Sequence, residues 1–324
     1  MKHFTSIQDV DNLSSLLEEA KQLKHNPFLY ETFGKHATIG LIFFNPSLRT
    51  RLSSQKAARN LGMEPIVMNI NEDSWKIETE YGVIMDGDKS EHIKEAAGVI
   101  GRYCDIIGIR SFARFEDREK EYKEPIIQNF IKYSGVPVIS LEGATAHPLQ
   151  AFADLITMEM YKQTEKPKVV LSWAPHPKPL PQAVSNSFVR WMKAAGYDLV
   201  ITHPEGYELC EEFTEGIPIE YDQKAAFKDA DFIYPKSWAS YSQYGKVLTQ
   251  NRSWTVDAEK MELTNNAKLL HCLPVRRNMV VSDEVLDGPN SLVLEEAENR
   301  VVSAQTVMKQ LLTPNQTDSG ELIV

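Results

Sequence analysis

Short apolar runs recur along the chain, separated by stretches with helical spacing. They cover 37–44, 65–70, 104–110, 136–141, 168–174, 197–203, 230–236, 269–274 and 292–295. Runs that are apolar on consecutive positions suit strands buried on both faces. Between them, Ile93, Ala96, Ala97 and Ile100 fall at i, i+3, i+4, i+7, the stripe of an amphipathic helix. Leu48, Leu52 and Leu61 predict a similar stripe, with Gly62 as its C-terminal stop. Val302, Val307 and Leu311 predict a last helix, with Glu298-Asn299-Arg300 before it and a polar tail after it.

This alternation predicts an α/β fold of parallel sheets flanked by helices, and 324 residues suit two domains. The expected division is 1–147, with helix 301–312 packing back on it, then 148–300 entered through a helix over 148–161, then a tail at 313–324. The segment Pro175-His176-Pro177-Lys178-Pro179-Leu180-Pro181 has four prolines in seven residues. Proline fixes φ and removes a donor, so this is a stiff extended loop, either a plain connector or the wall of a site.

Composition narrows the class. The chain is 42% hydrophobic and 25% charged, as in ordinary globular proteins. No apolar run approaches bilayer thickness, and Met1-Lys2-His3-Phe4-Thr5-Ser6 lacks a signal-peptide core. A cytoplasmic protein without a membrane partner is expected. Cys104, Cys210 and Cys272 are too far apart for a CxxC pair and too few for a disulfide framework. A net charge of −10 argues against a nucleic-acid partner but permits a locally positive pocket for a small anion.

Candidate chemistry lies at strand ends. At Phe43-Phe44-Asn45-Pro46-Ser47-Leu48-Arg49-Thr50-Arg51 a strand stops, Pro46 breaks it, and a helix is predicted near Ser47. Unpaired N–H groups and the positive dipole end make a helix start a phosphate site. Ser47 and Thr50 add hydroxyls and Arg49 a planar fork. A capping serine followed by surface arginines is the plain reading of the same letters. His147-Pro148-Leu149-Gln150 offers an imidazole and an amide to polarise a carbonyl. His271-Cys272-Leu273-Pro274, followed by Arg276 and Arg277, ends another run, where open α/β sheets place ligands. Among dinucleotide enzymes the G-x-G-x-x-G signature follows a strand, and no run here is followed by one.

The order of these motifs resembles the aspartate and ornithine carbamoyltransferases: Ser-x-Arg-Thr-Arg, an arginine after a strand, His-Pro-x-Gln, His-Cys-Leu-Pro, then an arginine near the chain end. Here they are Ser47–Arg51, Arg110, His147–Gln150, His271–Pro274 and Arg300. The resemblance implies that Ser47, Leu48, Arg49, Thr50, Arg110 and Arg300 bind the phosphate of carbamoyl phosphate. His147, Gln150 and the backbone at Cys272 and Leu273 would hold its carbamoyl group. Arg110, His147 and Thr50 would be the catalytic set, stabilising the charge of the tetrahedral intermediate. Trp75 looks like the residue lent by a neighbouring subunit in the N-acylornithine branch, which implies a homotrimer with shared sites. No metal or organic cofactor is implied.

Ordinary ornithine enzymes carry Asp-x-Trp-x-Ser-Met-Gly, whose aspartate pairs with the free α-ammonium. Here Lys236-Ser237-Trp238-Ala239-Ser240-Tyr241-Ser242 stands at that place. A lysine repels an ammonium, so an N-acylated ornithine is expected, with Lys236 serving a carboxylate. The proline-rich loop resembles that of the N-acylornithine branch, in which the second domain is knotted. Glu142, His176 and Arg276 match substrate contacts there. N-acetylornithine enzymes carry glutamate where this chain has Ser90, and lysine where it has Val280. Ser90 would leave room for a longer acyl group and would not repel its terminal carboxylate, although it also reads as the N-cap of the helix beginning at Ile93. The expected substrate is N-succinyl-L-ornithine. N-acetyl-L-ornithine is the alternative, and a non-catalytic phosphate-binding regulator is a further one.

Overall fold

The computed structural model describes residues 1–70 and 72–313. The residues of the expected tail from 314 onward lie outside this set. The described residues form two compact units, 1–149 with 300–313, and 150–299. Unit 1 is built on a parallel four-stranded sheet of β1 (Thr38–Phe43), β2 (Glu64–Asn69), β5 (Ile106–Arg110) and β6 (Val138–Glu142), in the order β2-β1-β5-β6. A separate ribbon pairs β3 (Lys76–Glu78) with β4 (Lys89–His92). Unit 2 holds β7 (Lys168–Trp173), β8 (Asp198–Thr202), β9 (Ile219–Glu220), β10 (Phe232–Lys236) and β11 (Lys268–Leu269), all parallel, in the order β11-β10-β7-β8-β9.

The consecutive apolar runs become central strands because helices cover both faces of such sheets. In unit 1, Ile107 and Ile109 of β5 pack with Ile93 and Ala97 of helix Ile93–Tyr103 and with Phe130 of helix Pro125–Tyr133. In unit 2, Val170 and Ile233 pack with Phe227, Val256 and Val281. The two sheets thus fix the carboxyl ends of β1, β5, β6, β10 and β11, where the candidate residues stand. Among the described residues, no helix is long and apolar enough to cross a membrane.

Several expectations are corrected. The run 292–295 is not a strand: a single helix, Val293–Leu312, absorbs it and carries Arg300 in its interior. Two acids, Glu295 and Glu296, sit in its first turn, and the partly exposed Glu295 charge suits the positive dipole end. The run 269–274 pairs only as far as Leu270, whose N–H reaches Ile233 O. The next donor, His271 N–H, turns away to the Glu296 carboxylate at 2.7 Å. The leucine stripe of helix Arg49–Asn60 fails, since Leu48 and Leu52 are 68% and 60% exposed. Its buried face is Thr50, Ser53, Ser54, Ala57 and Ala58, small side chains that lie close against β1 and β2. Gly62 does end this helix, with φ +79° and its Cα only a short step from Glu31 O, which a Cβ would meet at 2.3 Å.

The ribbon was not foreseen, because Lys76-Ile77-Glu78 and Lys89-Ser90-Glu91-His92 are too polar to read as strands. Ion pairs Lys89–Glu78 and Lys76–Asp88 lace it. Ser90 is not a helix cap. It is an exposed residue of β4, and His92 caps the helix by accepting the Lys94 N–H on Nδ1 at 3.2 Å.

Candidate active site

The phosphate-type segment leaves β1 at Phe43 and enters its helix two residues later than the sequence suggests. Leu48 already has helical φ and ψ of −92° and −62°, gives no side-chain cap, and accepts the first helical bond from Leu52 N–H at 3.1 Å. The N–H groups of the first turn, from Leu48 to Arg51, therefore have no intrahelical acceptor, and the dipole makes this end positive. A hollow of about 150 Å³ beside it is lined by Asn45, Ser47, Arg51 and Asn69, among others. Thr50 is buried, and its hydroxyl accepts from buried Arg300 at 2.6 Å. Residues 250 positions apart thus meet, and the helix interior holds Arg300 rigidly.

Arg110 ends β5 and reaches the same segment. Its guanidinium donates to Asn45 O at 3.2 Å and Pro46 O at 2.6 Å, and lies 4.7 Å from the centre of the Phe112 ring. Its other nitrogen donates to Glu142 Oε2 at 2.8 Å. The same oxygen stands 3.9 Å from Nε2 of His147, which is buried. Glu142, expected in the set for the amine substrate, is therefore bound to the phosphate-side arginine.

A carboxyl that sequence reading missed, Glu124, shapes this corner. It accepts from Ala144 N–H at 2.9 Å and from the N–H and hydroxyl of Thr145 at 2.6 and 2.7 Å. Burial pushes its carboxyl up, and those donors oppose the shift. Gly143 is required here, since a Cβ would meet Glu124 Oε1 at 2.5 Å. The clamp fixes the turn that separates Glu142 from His147. No local letter pattern marks Glu124, which sits just before a proline-started helix with φ +50°.

In unit 2, Gln150 lies in helix Pro148–Tyr161. Its Nε2 donates to Asp154 Oδ1 at 2.7 Å and to Glu296 Oε1 at 2.9 Å. Glu296 also receives the His271 N–H, and His271 Nδ1 accepts from Leu273 N–H at 2.9 Å. The His-Cys-Leu-Pro segment is thereby tied to Gln150 through one buried carboxyl. Sequence reading missed Asp154 and Glu296. A one-turn spacing from Gln150 was the available signal for Asp154; for Glu296 there was none.

A second cluster of unit 2 is cationic. His176 Nδ1 faces Lys178 O at 2.7 Å, and His176 Nε2 accepts from Arg276 Nε at 2.9 Å. Nε2 must then be unprotonated. Burial first, and then the charges of Arg276, Lys236 and Lys178, hold the imidazole below its ordinary range, against the pull of Lys178 O. Lys236, ending β10, is buried and donates to Ser237 O at 3.2 Å. Arg276 is exposed. The proline-rich loop is laced to the neighbouring segment by Ala239 N–H to Leu180 O at 2.9 Å and Ser237 Oγ to Pro175 O at 3.4 Å. Val280 is buried in the apolar core of the unit.

Trp75 stands immediately before β3 and Ser90 lies in β4 of the ribbon of unit 1. Trp75 is 58% exposed, and its indole N–H donates to Glu91 Oε2 at 2.8 Å. No bond to Ser47, Arg49 or Thr50 of its own chain accompanies it among the described contacts.

Unit 1 by itself presents backbone N–H groups and arginines suited to a dianion and an imidazole suited to a carbonyl, and unit 2 by itself presents a lysine and an arginine suited to carboxylates. Residues 2–160 match the aspartate/ornithine carbamoyltransferase carbamoyl-P binding domain, and residues 181–311 match the Asp/Orn binding domain of the same family. The N-succinylornithine carbamoyltransferase of Bacteroides thetaiotaomicron is 59% identical over 96% of this chain and 99% of its own. The N-acetylornithine carbamoyltransferase of Xanthomonas campestris is 38% identical over 96% and 98%. A crystal structure of an N-acetyl-L-ornithine transcarbamylase, with one glutamate changed to serine and complexed with carbamyl phosphate and N-succinyl-L-norvaline, superposes with TM-score 0.90 at 38% identity, covering 96% of this chain and all of that one. The chain belongs to the aspartate/ornithine carbamoyltransferase family, with the two-domain parallel α/β fold that its motifs announce.

Proposed function

We propose that the protein transfers the carbamoyl group of carbamoyl phosphate to the side-chain amine of N-succinyl-L-ornithine, giving N-succinyl-L-citrulline and phosphate in arginine biosynthesis. One observation carries the choice of amine: Lys236 and Arg276 set two cations beside an unprotonated His176 where recognition of a free α-ammonium would need an acid. N-succinylornithine has two carboxylates and a neutral α-amide, which suit two cations. The serine-substituted relative with bound N-succinyl-L-norvaline supports the part given to Ser90.

In this reading the phosphate rests on the N–H groups from Leu48 onward, with Ser47, Arg49, Thr50, Arg110 and Arg300. Binding of the dianion replaces Glu142 as the partner of Arg110 and releases Glu142 to the amine substrate. The neutral amine attacks the carbamoyl carbon, the C–O bond to phosphate breaks, and the leaving phosphate takes the amine's proton. His147, Arg110 and Thr50 stabilise the oxyanion, each by about 3 kcal/mol. Gln150 and the backbone at Cys272 and Leu273 hold the carbamoyl amino group. Alignment of the two substrates supplies much of the remaining acceleration.

The proposal includes a cytoplasmic homotrimer in which Trp75 of one copy serves the phosphate site of another. Its exposure, with Ile84 at 85% and Met85 at 42% on the same segment, supports that role. It also includes a knotted path in unit 2 at the loop laced to residues 237–239. Phosphate release and the mass of the carbamoylated product, with free, N-acetyl and N-succinyl ornithine in turn, test the activity. Turnover of the succinyl compound is expected. Carbamoyl phosphate binding without turnover of any amine would favour the regulatory reading.

A further inference from the structure

Gln150 is 1% exposed, and its amide is committed on one side only. Both hydrogens of Nε2 are taken, by Asp154 Oδ1 at 2.7 Å and Glu296 Oε1 at 2.9 Å. Oε1 is buried with no hydrogen-bond partner among the described residues. A buried amide oxygen without a donor is costly, and its orientation cannot be relieved by a flip, because that would set oxygen against two carboxyl oxygens. Glu296 is itself committed at both atoms, since Oε2 receives the His271 N–H at 2.7 Å. We propose that Asp154 and Glu296 are positioning residues that fix the Gln150 amide with its oxygen as the open acceptor, so that the site selects an amino group over a methyl group on the transferred carbonyl. This deepens the carbamoyl transfer proposed above and rests on it.

The proton inventory agrees. Burial, and then the Asp154 charge, push the Glu296 carboxyl well above its ordinary range, and Tyr234, itself buried, borders the pair. A proton held between the two carboxyls leaves Asp154 Oδ1 and Glu296 Oε1 as acceptors for one NH2.

Glu296→Gln has the same shape but must fail at one end. If its amide oxygen keeps the His271 N–H, its NH2 faces Gln150, which flips and presents NH2 as the open group. The exchange variant Gln150→Glu with Glu296→Gln restores an acceptor at 150 and a donor at 296.

The probes are two stable phosphonates, phosphonoacetamide and 2-oxopropylphosphonate, which differ by NH2 against CH3. Their dissociation constants are measured by calorimetry on the full-length protein. The intact protein should prefer the amide by about tenfold or more. Glu296→Gln should lose most of that ratio, and the exchange variant should regain it. An unchanged ratio in Glu296→Gln, or equal weakening of both probes, would overturn the inference. If the exchange variant does not fold, Asp154→Asn replaces it: its carbonyl can still accept from Gln150, so the ratio should survive, and its collapse there would also count against the inference. Failure of the intact protein to bind either probe, or to turn over carbamoyl phosphate, would instead sink the proposed function.

Discussion

In unit 1 the cations converge through secondary structure. Arg110 ends a strand, Arg300 is inside a 20-residue helix, and Thr50 opens another. In unit 2 they converge through loops: Lys236 at a strand end, His176 in a proline-stiffened loop and Arg276 on an exposed turn. The difference follows the ligands assigned to each. A phosphate is the same for every member of the family and suits rigid backbone N–H groups. The amine substrate varies, and a loop exchanges side chains without disturbing a sheet.

The contrast can be broken most severely in unit 1. Arg110→Ala removes the proposed oxyanion donor and leaves Glu142 without its guanidinium partner beside His147. It should lower kcat about 10²–10³-fold, near 3–4 kcal/mol, with little change in the acyl preference, in steady-state assays. A loss confined to one acyl substrate would show that Arg110 belongs to the other set. Lys236→Met comes next. It should raise KM for N-succinyl-L-ornithine about thirtyfold, about 2 kcal/mol for a charged hydrogen bond, and leave carbamoyl phosphate affinity near the starting value.

Those two positions also show how far the letters reach. Ser47–Arg51 and Arg110 were readable because a strand end, a proline and a helix start are local events. Most core strands were readable for the same reason, from consecutive apolar runs. Lys236 drew notice only as a departure from a known pattern. What the letters hid depends on distance or on small side chains. Arg300 meets Thr50 only after folding, the buried face of Arg49–Asn60 is made of serine and alanine, and Ser90 lies in a ribbon too polar to resemble a strand. Asp154 and Glu296 are buried acids and Glu124 a half-buried one, and no local spacing discloses their burial.

A smaller effect is expected at Ser90. Ser90→Glu should shift the succinyl-to-acetyl ratio of kcat/KM about tenfold toward acetyl, about 1.4 kcal/mol. An unchanged ratio would remove Ser90 from recognition. The smallest effect is on pH. His176 holds Arg276 only while Nε2 is unprotonated, and its imidazole titrates below the ordinary range. The hold is intact at neutral pH and is lost as pH falls through that lowered value. KM for the succinyl substrate should therefore rise on the acid side only, and His176→Asn should flatten the profile if its amide keeps the contact. A rise on the alkaline side would assign the effect elsewhere.

The central claim is that a cationic acyl-amine site replaces an acidic one. The most direct measurement is kcat/KM of the unmodified protein for N-succinyl-, N-acetyl- and free L-ornithine at saturating carbamoyl phosphate. The account predicts the succinyl compound first, the acetyl compound second and free ornithine last. A higher value for the acetyl compound would contradict the substrate, and a higher value for free ornithine would contradict the role given to Lys236 as well.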